Sequence, residues 1–229
     1  VVYRDAIVEA NVLIEEEKIA DVKKSVAGEY SREEVIDANG LFLLPGLIDA
    51  HVHLRDPGAT YKEDFFTGTS AALAGGVTAV IDMPNNSPGI DSIANLEAKK
   101  IEAGKKAVCD YSLYFGASNS NVEQVRKAGE LAEIAALKVY MGSTTGSLLV
   151  TRDELIEQHF NAFNKSKVVS VHAEDDELIK RNEEKLKQES SASVHALIRS
   201  EECAVKAAEK AISIAEKTGR KLHVAHLST

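Results

Sequence analysis

Two histidines one residue apart, His51 and His53, stand in the run LIDAHVHLR. On an extended strand alternate side chains share a face, so Asp49, His51 and His53 point one way while Ile48, Ala50, Val52 and Leu54 point the other, where they can pack on helices. Two imidazoles side by side at a strand end suit one divalent metal ion. An isolated pair fits two half-exposed histidines with no ligand role equally well. Two further histidines shift the balance: His172 ends VVSVHAED and His226 ends KLHVAHLS. Zinc and its neighbours take imidazole nitrogen readily, so four such rings meeting at one mouth point to more than one metal. His223 has the opposite parity from His226. We place His226 at the mouth, on the face of Leu222 and Val224, and assign His223 to packing or hydrogen bonding. His159 and His195 fall on helical stretches and are expected at the surface.

Lys138 sits between Leu137 and Val139 in ALKVYMGS, where burying an ammonium is costly. It either snorkels from an edge strand to solvent or is a desolvated amine of lowered pKa. The second kind is nucleophilic and can take up carbon dioxide as an anionic, two-oxygen carbamate able to bridge two metals. Arg55 is the third alternate residue after His51 and His53, so it reaches the same mouth, unless it is spent on a surface ion pair with Asp56 or Glu63. Its forked guanidinium suits a carboxylate. Asn85 lies in Pro84-Asn85-Asn86, which is also good turn chemistry. Gly75-Gly76 and Gly142-Ser143-Thr144-Thr145-Gly146 lack the Lys-Ser/Thr ending of a phosphate loop and are expected to be tight turns between helices and strands.

These residues need strands to carry them. From Leu43 onward short apolar runs (LLPGLIDAHVHL, VTAVIDMP, DYSLYFGAS, ALKVYMGS, VVSVHAED, KLHVAHLS) alternate with helical stretches (DFFTGTSAALAGG, SIANLEAKKIEAGKKA, TRDELIEQHFNAFNK, SEECAVKAAEKAISIAEKTG). Such alternation means a parallel sheet, open or closed into a barrel. Six strand–helix units are visible where a (β/α)8 barrel has eight, so the chain is expected to be part of a longer protein. Residues 1–44 read as short strands and turns, with a hairpin about Glu15-Glu16-Glu17. Arg181 to Ser193 reads as a polar insertion or loop, and Glu183 to Glu189 within it as a solvated helix face. The 229 residues are 44% hydrophobic, enough for a sizeable core, and the net charge of -9 argues against a nucleic-acid partner. Two cysteines, Cys109 and Cys203, are too few for a disulfide framework, and a cytoplasmic setting is expected.

HVHLRDPG, VIDMPNN, LKVYMGSTTG, VHAEDDEL and HVAHLST follow one another in that order, one per strand tip. Together they resemble the amidohydrolase superfamily, and within it the cyclic-amidase branch of dihydroorotases, hydantoinases and allantoinases. The resemblance implies a (β/α)8 TIM-type metal-dependent barrel over residues 45–229 and part of a flanking β-domain over 1–44. It implies two divalent metal ions, zinc first among them: one on His51 and His53, the other on His172 and His226, bridged by Lys138 as its carbamate, with a shared hydroxide as nucleophile. Arg55 and Asn85 match the contacts to a substrate carboxylate, which favours dihydroorotases, enzymes that interconvert dihydroorotate and N-carbamoyl-aspartate in pyrimidine biosynthesis. A hydantoinase, dihydropyrimidinase or allantoinase is the enzyme alternative, and an inactive scaffold for a partner enzyme the alternative of another class. The family's proton-shuttling aspartate belongs to an eighth strand; none of Asp49, Asp82 or Asp175 matches it. A homo-oligomer and association with a transcarbamoylase are the expected partnerships, with neither nucleic acid nor membrane.

Overall fold

A computed structural model of the chain describes residues 1–24, 34–142, 148–189 and 191–228. The expected turn from Ser143 to Gly146 lies outside them. The chain divides into two units, Val1–Leu47 and Ile48–Thr229.

In the first unit, strands β1 (Asn11–Glu15) and β2 (Lys18–Lys23) pair antiparallel. The hairpin turns where the acidic run predicts it, at Glu16 and Glu17 with φ of 48° and 63°. Two consecutive left-handed residues give the turn whose twist matches that of its strands.

The larger sheet holds β3 (Leu47–Val52), β4 (Val77–Asp82), β5 (Asp110–Gly116), β6 (Ile134–Tyr140), β7 (Val168–His172) and β8 (Leu222–Val224), side by side in chain order. From β4 to β8 each neighbouring pair is parallel. All six expected strands are present. Helices α1 (Phe65–Ala74), α2 (Ile93–Lys106), α3 (Val122–Gly129), α4 (Asp153–Ala162), α5 (Asp176–Leu186), α6 (Val194–Ile198) and α7 (Glu201–Thr218) connect them. Local chemistry sets several ends. Asp64 and Thr67 form a reciprocal capping box at the start of α1, Ser92 accepts from the Asn95 amide at α2, and Gly219 closes α7 in the left-handed conformation with φ 64°. Gly75 and Gly76 turn the chain from α1 into β4, as expected, with Gly76 at φ 83°.

The two sides of the sheet differ sharply. Leu113, Phe115, Leu137, Val139, Val169 and Val171 face the helices and are fully buried, each worth about 1.5–3 kcal/mol of transfer free energy. Leu222 and Val224 pack against the same core. The opposite side carries Met83, Tyr114 and Ala136 in a smaller cluster, and the Tyr114 hydroxyl donates to the Ala50 carbonyl at 3.1 Å. That bond runs from β5 to β3 over the intervening strand, which requires the sheet to curl with this side concave. Across the concave side Gly116, Lys138, Ser170 and His223 stand in register in one row.

Two expectations fail here. Arg181 to Leu186 is not a loop but the second half of α5, and Glu183 to Lys185 lie on its solvated face as expected; the Asp175 cap starts this helix, and only Leu178 and Ile179 among its apolar residues are buried. His159 is not a surface residue. It lies on the buried side of α4 with no exposure, its Nε2 2.9 Å from the Ser118 carbonyl oxygen.

Candidate metal centre

The loops and strand tips at one end of the concave side bring the sequence-selected residues together. The rings of His51 and His53 lie 5.4 Å apart, those of His51 and His226 5.3 Å, and those of His172 and His226 4.9 Å. His51 and His53 get there as expected, on alternate positions of β3 and its continuation. His226 does not. Leu222 and Val224 face the helices, so the face on which His226 was expected points away from the mouth, and it is His223 that shares the inner row with Lys138. His226 reaches the cluster because β8 has ended and the chain turns at His226 itself, with φ 41°. His195 is exposed on α6, as expected.

Lys138 lies beneath this cluster on β6. It is fully buried, its Nζ makes no hydrogen bond among the described residues, and it stands 5.3 Å from the centre of the Tyr140 ring. Burial brings its pKa down to about 7. A lysine in the third inner strand of a sheet has no route for snorkelling, so that alternative falls. Burial first, then the charge of Lys138, takes His51 to about 4. Burial also lowers His53, with Arg55 adding to it, and His226, with His172 adding to it. All three are therefore held as neutral imidazoles, the form that ligates metal.

Among the described residues no three His, Cys, Asp or Glu side chains are already arranged to hold a metal ion. The donor chemistry nevertheless fits one. His172 Nδ1 and His226 Nε2 face each other at 3.1 Å. Two nitrogens on one tetrahedral zinc are separated by roughly 3.3 Å, so a small displacement separates contact from ligation. An orphaned buried amine and a set of neutral imidazoles are what an anionic bridge and two cations would satisfy.

Around the histidines stand groups that hold them. His53 Nδ1 lies 2.9 Å from Asn85 Oδ1, so Asn85 is more than a turn residue. His172 Nε2 lies 2.6 Å from Glu174 Oε2, and Arg199 pairs with the same carboxylate oxygen. Burial pushes the Glu174 carboxyl up, but His172 and Arg199 more than offset this and its pKa is lowered. Glu174 and Arg199 were not singled out from sequence. The legible signal was parity, since Glu174 follows His172 by two.

Arg55 has φ 59°. The non-glycine residues of positive φ among the described residues are Glu16 and Glu17 in the hairpin, and Arg55 and His226 here. A left-handed non-glycine residue costs on the order of 1–3 kcal/mol and persists where the surroundings demand it. Asp56 pairs with Lys106 at 2.7 Å and Glu63 accepts from the Asp64 amide, so neither is the ion-pair partner that Arg55 could have had. Among the described residues Arg55 makes no ion pair. Asp82 and Asp175 are also committed, to Lys99 and to Lys206, while Asp49 accepts from the His51 amide.

A curled, singly wound parallel sheet with histidines and a buried lysine at its strand tips defines a class, and the family comparison agrees: residues 42–228 match the amidohydrolase family, and the chain belongs to it. More particularly, it is 34% identical over 227 residues to the dihydroorotase of Methanosarcina mazei, covering 99% of this chain and 49% of that protein. It is 38% identical over 223 residues to the dihydroorotase of Methanothermobacter thermautotrophicus, covering 96% of this chain and 48% of that protein. Among solved structures, the L-hydantoinase (dihydropyrimidinase) of Arthrobacter aurescens superposes with a TM-score of 0.90 at 25% identity, over 98% of this chain and half of that one. The chain thus spans about half the length of the relatives it matches.

Proposed function

We propose that the protein to which this chain belongs is a dihydroorotase, interconverting dihydroorotate and N-carbamoyl-aspartate. The observation that carries this reading is the buried Lys138 beneath four histidines, its Nζ without a hydrogen bond and Arg55 without an ion pair among the described residues. Similarity to dihydroorotases over nearly the whole chain supports it.

His51 and His53 would hold one divalent cation, zinc for preference, and His172 and His226 a second. Lys138 would join them as its carbamate. As a neutral amine it adds to carbon dioxide, forming an N–C bond and releasing one proton, which converts a buried base into an anion. When bound, the cations supply Lewis acidity to the ring amide carbonyl and lower the pKa of the attacking water. The chain's own residues supply position. Arg55, with two parallel N–H groups, holds the carboxylate beside the reacting ring, and the Asn85 amide lies next to it through its contact with His53. In the hydrolytic direction water adds to the amide carbon, the C–N bond breaks, and the nitrogen gains a proton. Tyr140, its pKa raised by burial, stays a neutral phenol that cannot serve as the base. The proton-transfer group is not assigned to any residue of this chain.

The two cysteines are unpaired, which supports a reducing cytoplasmic setting. No helix among the described residues is long and apolar enough to cross a membrane. Similarity at 42% identity over 139 residues to the multifunctional protein CAD of Squalus acanthias supports association with other enzymes; a transcarbamoylase as that partner and a homo-oligomer belong to the same proposal.

The test is the full-length protein, assayed with dihydroorotate and with an unsubstituted hydantoin while its metal content is measured. Turnover of dihydroorotate with two metals per chain is expected. Turnover of the hydantoin alone would move the protein to the hydantoinases, and metal-free protein without turnover would favour an inactive scaffold.

A further inference from the structure

We propose that Glu174, held in turn by Arg199, is a positioning residue that fixes the His172 ring with Nδ1, not Nε2, facing the histidine cluster. The inference rests on the reading of that cluster as a metal centre and adds the group that decides which nitrogen is offered.

An imidazole can present either nitrogen, and in its neutral form only the one without hydrogen has a lone pair to give. His172 Nε2 lies 2.6 Å from Glu174 Oε2. An ionised carboxylate only accepts, so Nε2 carries the hydrogen and the lone pair is on Nδ1. Nδ1 is the atom that faces His226 Nε2 at 3.1 Å. The opposite tautomer would lose the bond to Glu174 and aim an N–H at the place meant for a cation.

Three features hold Glu174 where it can do this. Arg199, at the end of α6, pairs with the same Oε2, so the carboxylate is anchored from a part of the chain 25 residues away. The next residue, Asp175, caps α5 through the Leu178 amide and donates its own amide to the Cys203 carbonyl at 2.9 Å. On the other side Gly142, just past β6, leaves no room for a side chain: a Cβ there would stand 2.7 Å from the Glu174 carbonyl oxygen and 2.8 Å from its Cβ. The segment His172–Asp175 is thus gripped on both sides, and the carboxylate is aimed back at the far nitrogen of the residue two before it.

The experiment uses full-length protein stripped of metal and labelled with nitrogen-15 histidine, in which nitrogen shifts report the His172 tautomer. Metal affinity is read separately, by competition with a chelator for zinc. The Nε2–H form is expected in the parent. Glu174→Ala should lose that preference and bind zinc about 10–100-fold more weakly, the usual consequence of removing such an outer partner. Glu174→Gln, whose amide oxygen can still accept, should keep the tautomer and stay within a few-fold of the parent. Arg199→Met should fall between the two. An Nδ1–H ring in the parent, or parental zinc affinity in Glu174→Ala, would overturn the proposal. If the parent bound no zinc, the metal centre would fall while the tautomer still judged the orienting role of Glu174.

Discussion

Lys99 Nζ and Asp82 Oδ2 lie 2.5 Å apart, and neither side chain reaches solvent. Lys99 also donates to the Met83 carbonyl at 2.9 Å and to Asn86 Oδ1 at 2.8 Å, while Asp82 Oδ1 accepts from the Leu54 amide at 2.8 Å. One ion pair therefore ties α2 to the tip of β4, to the loop that bears Asn85, and to the backbone between His53 and Arg55. Lys99→Met leaves a carboxylate buried without its cation and should cost about 3–5 kcal/mol of folding stability. Adding Asp82→Asn, which can still accept from Leu54, should return part of that loss. Chemical denaturation of the parent and both variants decides it; a single variant as stable as the parent would show that the pair contributes little.

Lys138→Ala should lose most bound metal and most activity, because two cations on neutral imidazoles repel each other without an anion between them. Acetate or propionate should restore part of both by placing a carboxylate where the proposed carbamate would stand. Lys138→Arg should not respond, since a permanent cation would occupy the space. Metal content and rate are measured together across a titration of the acid. A bare Lys138 ammonium in a fully metallated, active enzyme would end the bridging assignment.

Arg55→Ala should impair carboxylate-bearing substrates far more than uncharged ones. By analogy with truncated charge pairs, the loss should be about 2–5 kcal/mol in binding. Arg55→Lys should recover little, because an ammonium lacks the fork. Equal losses on dihydroorotate and on a plain hydantoin would mean that Arg55 shapes its loop and does not hold substrate.

His159 should make the fold sensitive to acid. Burial lowers its pKa below the ordinary 6.5, with the contact to the Ser118 carbonyl opposing the shift only in part. As pH falls through 6.5 the unfolded chain takes up a proton that the folded one refuses, so stability drops until the lowered folded pKa is passed. Above 6.5 the group has no effect on the pH dependence. His159→Gln, which can still donate to Ser118, should show a shallower decline between pH 6.5 and 5 in denaturation midpoints. Parallel curves would remove His159 as the cause.

Along the strands and their direct continuations, alternation was enough to place a residue. His51, His53 and Lys138 came out on the inner side, and the acidic hairpin turned at Glu16-Glu17, because strand period and turn chemistry are local. His226 lies two residues past the end of β8, where alternation no longer applies, and a left-handed residue undid the parity argument. His159 was misplaced because helical position alone does not tell which side a neighbouring strand loop will cover. In α5 the solvated face from Glu183 was legible but not the extent of the helix, whose start depends on the Asp175 cap, and Glu174 and Arg199 meet only through folding, 25 residues apart.

The inner row of Gly116, Lys138, Ser170 and His223 imposes a rule on how such a chain can change length over evolutionary time. Gain or loss of one residue within β6 would exchange the places of Lys138 and its neighbours, driving an amine among Leu137-type contacts and a methyl-bearing side chain toward the histidines. A single extra residue is tolerable there only where a bulge takes it up, as between Ile134 and Ala136, where the register with β5 shifts by one. The connections after each strand carry no such parity, so new substrate ranges can arise by lengthening those segments while the reactive row keeps its count.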